Sequence, residues 1–200
     1  MTQAHVNVGL LQDELIKLLH PDQRSLMRDA QLSRYIHTLS LKAGAFQPHA
    51  SDIHDCACVL VRGVIGVKHK FEDRDAITHF YQEGDLFLTT EIDPMYNKQG
   101  SYWWVYEEIE MILLPLKSEI WQREQPLLAR ALNVQASLMA AFTYQKYINN
   151  LGLDRRSFSL DWLKTNKRLL SLVPRMEIAN YLDISKSSLK SFIKIALNDG

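Results

Sequence analysis

The sequence predicts an α+β chain: N-terminal helices and a jelly-roll β-barrel, then one long helix, then two short C-terminal helices joined by a tight turn. Three observations predict it. Between Thr38 and about Leu116, short runs rich in β-branched and aromatic residues alternate with turn chemistry. Between Leu127 and Ile148, apolar residues advance by alternating steps of four and three. After Leu153 the composition turns basic, and two helical patterns flank Asp183-Ile184.

From Gly9 to His37 the spacing is helical, with Leu11, Leu15, Leu18 and Leu19 on one side; His20-Pro21-Asp22 interrupts it before a second stretch through Leu26, Ala30 and Ile36. The N-terminus lacks a basic segment followed by an unbroken apolar run, and nowhere do eighteen apolar residues run together, so neither export nor a membrane span is expected. Then come the runs VLVRGVIGVKHKF, AITHFYQ and YWWVYEEIEMILL, which read as strands. Turns are expected at Lys42-Ala43-Gly44, Asp73-Arg74-Asp75, Glu83-Gly84-Asp85 and Asn97-Lys98-Gln99-Gly100.

The stretch from Lys117 to Asn150 favours helix. Leu127, Ala131, Val134, Leu138, Ala141, Gln145 and Ile148 form a coiled-coil-like seam, and Leu128, Leu132, Met139 and Phe142 form a second stripe beside it. One stripe suffices to dock on the barrel. Two stripes on one helix predict a second surface, taken here as a homodimer contact. Leu151-Gly152-Leu153-Asp154 reads as a helix stop and hinge. Beyond it, Leu160 to Leu172 is periodic, Pro174 suits the first turn of a helix running to Leu182, and Ser185 suits the N-cap of a last helix from Lys186 to about Leu197. Ile178, Ala179, Leu182, Ile184, Leu189 and Ile193 are its expected inward positions, a helix-turn-helix pattern. The expected units are residues 1–116, 117–152 and 153–200.

With 46% hydrophobic and 23% charged residues, disorder, collagen and a disulfide scaffold are excluded. Net charge is zero, yet it is unevenly distributed. Residues 155–200 hold nine basic and four acidic side chains, a net +5, leaving 14 basic and 19 acidic in the rest, a net −5. Such an asymmetry fits a separate module that contacts a polyanion. Cys56 and Cys58, the only cysteines, are two apart; on a strand they share a face, which is poor for a disulfide, so reduced thiols in a cytoplasmic protein are expected.

This order of parts resembles the Crp/Fnr group of bacterial transcription regulators, whose effector domain has the cyclic-nucleotide-binding fold. VPRMEIANYLDISKSSLKSFIK, Val173 to Lys194, is similar to that family's helix-turn-helix, and LVRGVIGVKHKFEDRDAITHFYQEGDLF, Leu60 to Phe87, resembles its glycine-punctuated hairpin and Gly-Asp turn, with Gly63 and Gly84-Asp85 in the matching places. The resemblance implies double-stranded DNA as a partner and a dimer whose two reading helices enter successive major grooves roughly 34 Å apart. It also implies an effector acting through the hinge near Gly152.

Three departures qualify it. Cyclic-nucleotide binders of the family carry a Gly-Glu pair and an Arg after the Gly-Asp turn. Here Leu86 to Trp104 contains no Arg, and its single cation is Lys98, a poor substitute for a bidentate guanidinium, so cyclic AMP is not the expected ligand. Where the family's reading helix has Glu and Arg, this chain has Ser187 and Ser191, which discriminate bases poorly. Lys186, Lys190 and Lys194 form a stripe suited to phosphates, with Ser187, Ser188 and Ser191 facing the bases. Asp183 stands where the turn commonly has Gly; Asp tolerates left-handed geometry better than most residues.

Strand alternation sends Tyr102, Trp104 and Tyr106 one way and Trp103 with Val105 the other, so the first three are candidates for lining an effector pocket. The rival reading is a cupin-like metal-dependent enzyme, or a ligand-binding protein that no longer binds DNA specifically. His49, Asp52, His54, Asp55, Cys56 and Cys58 gather donor atoms, with His69 and His79 on neighbouring strands. However, His49 and His54 are five apart, which on a strand gives opposite faces, and two cysteines cannot hold a four-cysteine iron-sulfur cluster. No nucleophile elbow, P-loop or His-Glu-X-X-His helix appears. The expectation is therefore a non-enzymatic regulator without cofactor or metal, binding DNA as a homodimer and responding to an unidentified small molecule.

Overall fold

A computed structural model describes residues 8–18, 21–25, 34–46, 53, 56–70, 75–89, 101–116, 119–134, 137 and 154–198. The Gly152 hinge, the helix beyond Ser137, most of the Leu86 to Trp104 stretch, and His49, Asp52, His54 and Asp55 lie outside them. The elements are α1 (Val8–Leu18), β1 (His37–Leu41), β2 (Gly44–Phe46), β3 (Cys56–Arg62), β4 (Val64–Lys70), β5 (Asp75–Gln82), β6 (Leu86–Leu88), β7 (Ser101–Val105), β8 (Ile109–Pro115) and α2 (Glu119–Glu124). After α3 (residues 126–134) come α4 (Arg155–Thr165), α5 (Leu169–Leu172), α6 (Arg175–Tyr181) and α7 (Lys186–Asn198).

The eight strands form two antiparallel sheets, ordered β1-β8-β3-β6 and β2-β7-β4-β5, which face each other as a jelly roll. Alternation builds the space between them. Cys56, Cys58 and Leu60 of β3, Ile65 and Val67 of β4, Trp103 and Val105 of β7, and Ile109, Met111 and Leu113 of β8 all join one buried cluster. Both cysteines are thus buried on one face and outside any disulfide, and burial pushes the Cys58 thiol well above its ordinary range.

Opposite alternates serve the outer faces. Ala57, Val59, Ile112 and Leu114 meet Leu11 and Leu15 of α1 and Leu128, Ala131 and Leu132 of α3. On the other sheet, Val64, Phe80 and Tyr106 join the core of the C-terminal helices. Each sheet is therefore covered on both sides, which explains why β3 reads as a near-continuous apolar run and why β4 is buried through His69.

Two connections require glycine. Gly63, between β3 and β4, has φ +94, and a Cβ there would lie 2.6 Å from the Ile109 side chain. Gly84 has φ +87, and Asp85 closes the same turn by accepting the Gln82 N–H at 2.7 Å. The helix-favouring stretch after Leu116 is not one rod: it breaks at Gln125, because Pro126 has no N–H to continue α2 and instead opens α3. Leu128 and Leu132 of the second stripe are buried, whereas Leu127 and Val134 of the first are 68% and 51% exposed.

His69 on β4 is buried and His79 on β5 half-buried, and desolvation lowers both pKa values; the neighbouring His69 lowers that of His79 further. The unfolded chain therefore binds protons near the ordinary value of 6.5 that the folded chain refuses. Stability should be full above that pH and fall as pH drops through it toward the lowered values. Denaturant titrations at stepwise lower pH should show this loss, and the double replacement His69→Gln, His79→Gln should flatten it.

Candidate functional site

Asp154 opens α4 as its N-cap, accepting the backbone N–H groups of Ser157 at 3.1 Å and Arg156 at 3.4 Å, and the Ser157 hydroxyl at 3.0 Å. These bonds hold its carboxyl below the usual range, the Ser157 N–H foremost. The periodic stretch from Leu160 to Leu172 is split by Asn166, whose N–H bonds the Trp162 carbonyl as the C-cap of α4, and α5 follows. Pro174 is the N-cap of α6.

Asp183 has φ +50, the one non-glycine residue with positive φ among those described. It stands in the turn between α6 and α7, and Arg155 fastens it there: the guanidinium donates to the Asp183 carbonyl at 2.9 Å and pairs with its carboxylate. Ser185 then caps α7 by accepting the Ser188 N–H at 3.1 Å, with the Ser187 and Ser188 hydroxyls at 2.8 and 2.9 Å. Ile178, Ala179, Leu182 and Leu189 are buried between the helices, while Ile184 and Ile193 are half-buried at the edge.

α7 presents its other face to water. Lys186, Ser187, Lys190, Ser191 and Lys194 are exposed, and Ser188 is half-buried. The three lysines follow one another at four-residue intervals, so their ammonium groups form a single cationic ridge along the helix.

Tyr102, Trp104 and Tyr106 sit on the outer face of the sheet, with Trp103 and Val105 turned into the barrel. Of the outward three, Tyr106 joins the core of the C-terminal helices. Lys68 of β4, only 7% exposed, holds its Nζ 4.6 Å from the Trp104 ring centre and 5.8 Å from that of Tyr106. The carboxylate that answers this ammonium comes from the C-terminal helices: Glu177 of α6, with Oε1 2.9 Å from Nζ. Its second oxygen accepts the Tyr106 hydroxyl. Desolvation and the Glu177 carboxylate raise the Tyr106 pKa; desolvation and Asp75, which accepts the Tyr102 hydroxyl at 2.7 Å, raise that of Tyr102.

More contacts join the same surfaces. Phe80 of β5 meets the Trp162 ring at a tilt and the Tyr181 ring edge-on, with ring centres 5.9 and 5.0 Å away. Arg168 reaches Glu83 at 3.0 Å and Glu107 at 2.7 Å, and Gln82 donates to Asn166 at 3.1 Å. Sequence reasoning missed this interface. Its signal was Lys68 itself, an ammonium within a strand otherwise buried almost throughout.

Among the described residues no group of three or more His, Cys, Asp or Glu is placed to hold a metal ion. Among them also, no helix is long and apolar enough to cross a membrane.

No family model matches the sequence, and no curated protein matches it either. Solved structures do match. FixK2 from Bradyrhizobium japonicum is 14% identical, with TM-score 0.57 over 82% of this chain and 86% of that one. A cyclic nucleotide-binding domain containing protein from Listeria monocytogenes EGD-e is 9% identical, with TM-score 0.58 over 96% and 91%. A CooA variant from Carboxydothermus hydrogenoformans is 14% identical, with TM-score 0.54 over 86% and 80%. The structural neighbours are Crp/Fnr regulators with the cyclic-nucleotide-binding fold, and at these identities what the chain shares with them is the fold.

The turn allows a direct check. Asp183→Ala puts a Cβ without a local hydrogen-bonding group at φ +50 and removes the partner of Arg155, so urea unfolding should show a loss of about 1–2 kcal/mol. Asp183→Gly removes the strain along with the ion pair and should stay within about 1 kcal/mol of wild type.

Proposed function

We propose that the chain is a cytoplasmic, dimeric, DNA-binding transcription regulator of the Crp/Fnr type, with α6, the Asp183 turn and α7 as its helix-turn-helix. The observation that carries this reading is the exposed ridge of Lys186, Lys190 and Lys194 beside Ser187 and Ser191, on a helix whose opposite face is anchored by Leu189 and Ala196. On a duplex the lysines would meet phosphates, while Ser187, Ser188 and Ser191 would face base edges. Hydroxyls both donate and accept, so base discrimination is expected to be modest and backbone charge to supply much of the affinity. The regulators among the structural neighbours support a non-enzymatic role.

Exposed Leu127 and Val134 support the dimer. They line the side of α3 turned away from the barrel, next to an open groove bordered by Gln122, Pro126 and Arg130. A second copy of the helix would cover them. The sensor barrel would respond to a ligand other than cyclic AMP, since its Gly-Asp turn is not followed by an Arg before Trp104. Tyr102, Trp104 and Tyr106 remain candidate effector contacts, on the outer face of the sheet.

Replacing Lys186, Lys190 and Lys194 by Ala should weaken binding to every duplex sequence tested. Because each neutralised phosphate contributes about 0.9 to the slope of log affinity against log salt, the slope should shrink by about 2–3. Fluorescence anisotropy across a salt series measures it; an unchanged slope would place the DNA contact elsewhere. Isothermal titration with cyclic AMP should give no heat of binding.

A further inference from the structure

The contacts between the C-terminal helices and the sheet differ in what they can fix. The packing of Phe80 on Trp162 and Tyr181 is apolar and holds the surfaces together without strongly fixing their rotation. Arg168 is 41% exposed, so its pairs with Glu83 and Glu107 lie in water. Lys68 is different. Its ammonium is buried, and Glu177 is committed at both oxygens, one to Lys68 and one to the Tyr106 hydroxyl. Tyr106 in turn lies on Gly66, where an added Cβ would come 2.9 Å from its ring. The anchor is directional, desolvated and backed by the sheet.

Glu177 is on α6, and α6 carries α7 with it. The two helices share Ile178, Ala179, Leu182 and Leu189 in one core, and Arg155 pins the turn between them. The lysine ridge is exposed while the anchor is closed. We infer that Lys68 is a positioning residue for DNA reading: through Glu177 it fixes the angle at which α7 is presented, and so the spacing between half-sites that a two-fold pair accepts. This rests on the DNA-binding reading above, and it makes the sensor sheet itself, in addition to the hinge, a route by which the barrel sets the reading helices.

The test uses the full chain and a pool of duplexes carrying randomised half-sites separated by a series of spacer lengths. Wild type should recover paired half-sites at one narrow spacing. Glu177→Gln keeps the shape of the side chain but removes the charge, and Lys68→Met keeps the stem but removes the ammonium. Each should spread recovery over neighbouring spacings and weaken the wild-type optimum about tenfold, with the double variant no worse than the worse single one, as for a coupled pair. Affinity for a duplex with a single half-site should stay within about twofold, because the lysine ridge is untouched. Amide exchange in α6 of Glu177→Gln should rise while that of β3 and β8 does not, separating a released anchor from an unfolded chain. Unchanged spacing in both variants would overturn the inference, as would an equal loss on single and paired half-sites, which marks a merely structural role. If wild type recovers no paired half-sites, the DNA-reading proposal fails first and this one with it.

Discussion

Lys68 has its ammonium group taken almost wholly out of water, and the structure supplies Glu177 from a helix more than a hundred residues away to meet it. An unpaired charge in that place would be strongly unfavourable, whereas a hydrogen-bonded pair is tolerated. Much of the arrangement around it follows from this requirement. Trp104 and Tyr106 turn their rings toward the ammonium, and Gly66 leaves room for the Tyr106 ring. α6 must lie with its first turn against β4, which brings Tyr181 onto Phe80. With α6 placed, the short turn and shared core leave α7 one orientation, its lysines outward.

The electrostatics of the chain make sense on the same interface. Residues 155–200 carry a net +5 and the rest of the chain −5. Arg168 between Glu83 and Glu107 uses part of that charge internally. Lys186, Lys190 and Lys194 are exposed, and none of them takes part in the ion pairs seen among the described residues.

Features governed by near neighbours in sequence were legible before the structure. Alternation alone sorted Tyr102, Trp104 and Tyr106 from Trp103 and Val105, and a serine before a periodic run marked the cap at Ser185; the left-handed residue at Asp183 was marked by the resemblance, which has Gly at that place in the turn. The break before Pro126 was equally local, but the helix-favouring composition on both sides of it masked it. What could not be read was which surface the outward aromatics meet. Tyr106 and Glu177 are separated by 71 residues, and Phe80 and Trp162 lie in segments with no shared pattern. An aromatic run on a strand looks the same whether it lines a ligand pocket or an interface with another part of the chain. Lys68 and His69 departed from the apolar half of their strand, and a departure says that a partner is needed without saying where it is.

The central claim is that the lysine face of α7 meets DNA while α6 stays fastened to the sensor sheet. Hydrogen exchange on the full chain, with and without a saturating duplex, tests both halves in one experiment. The account predicts added protection around residues 185–195 on DNA binding, with protection of α6 and β4 kept or increased. No added protection around residues 185–195, or loss of protection across α6 and β4 when DNA binds, would contradict it.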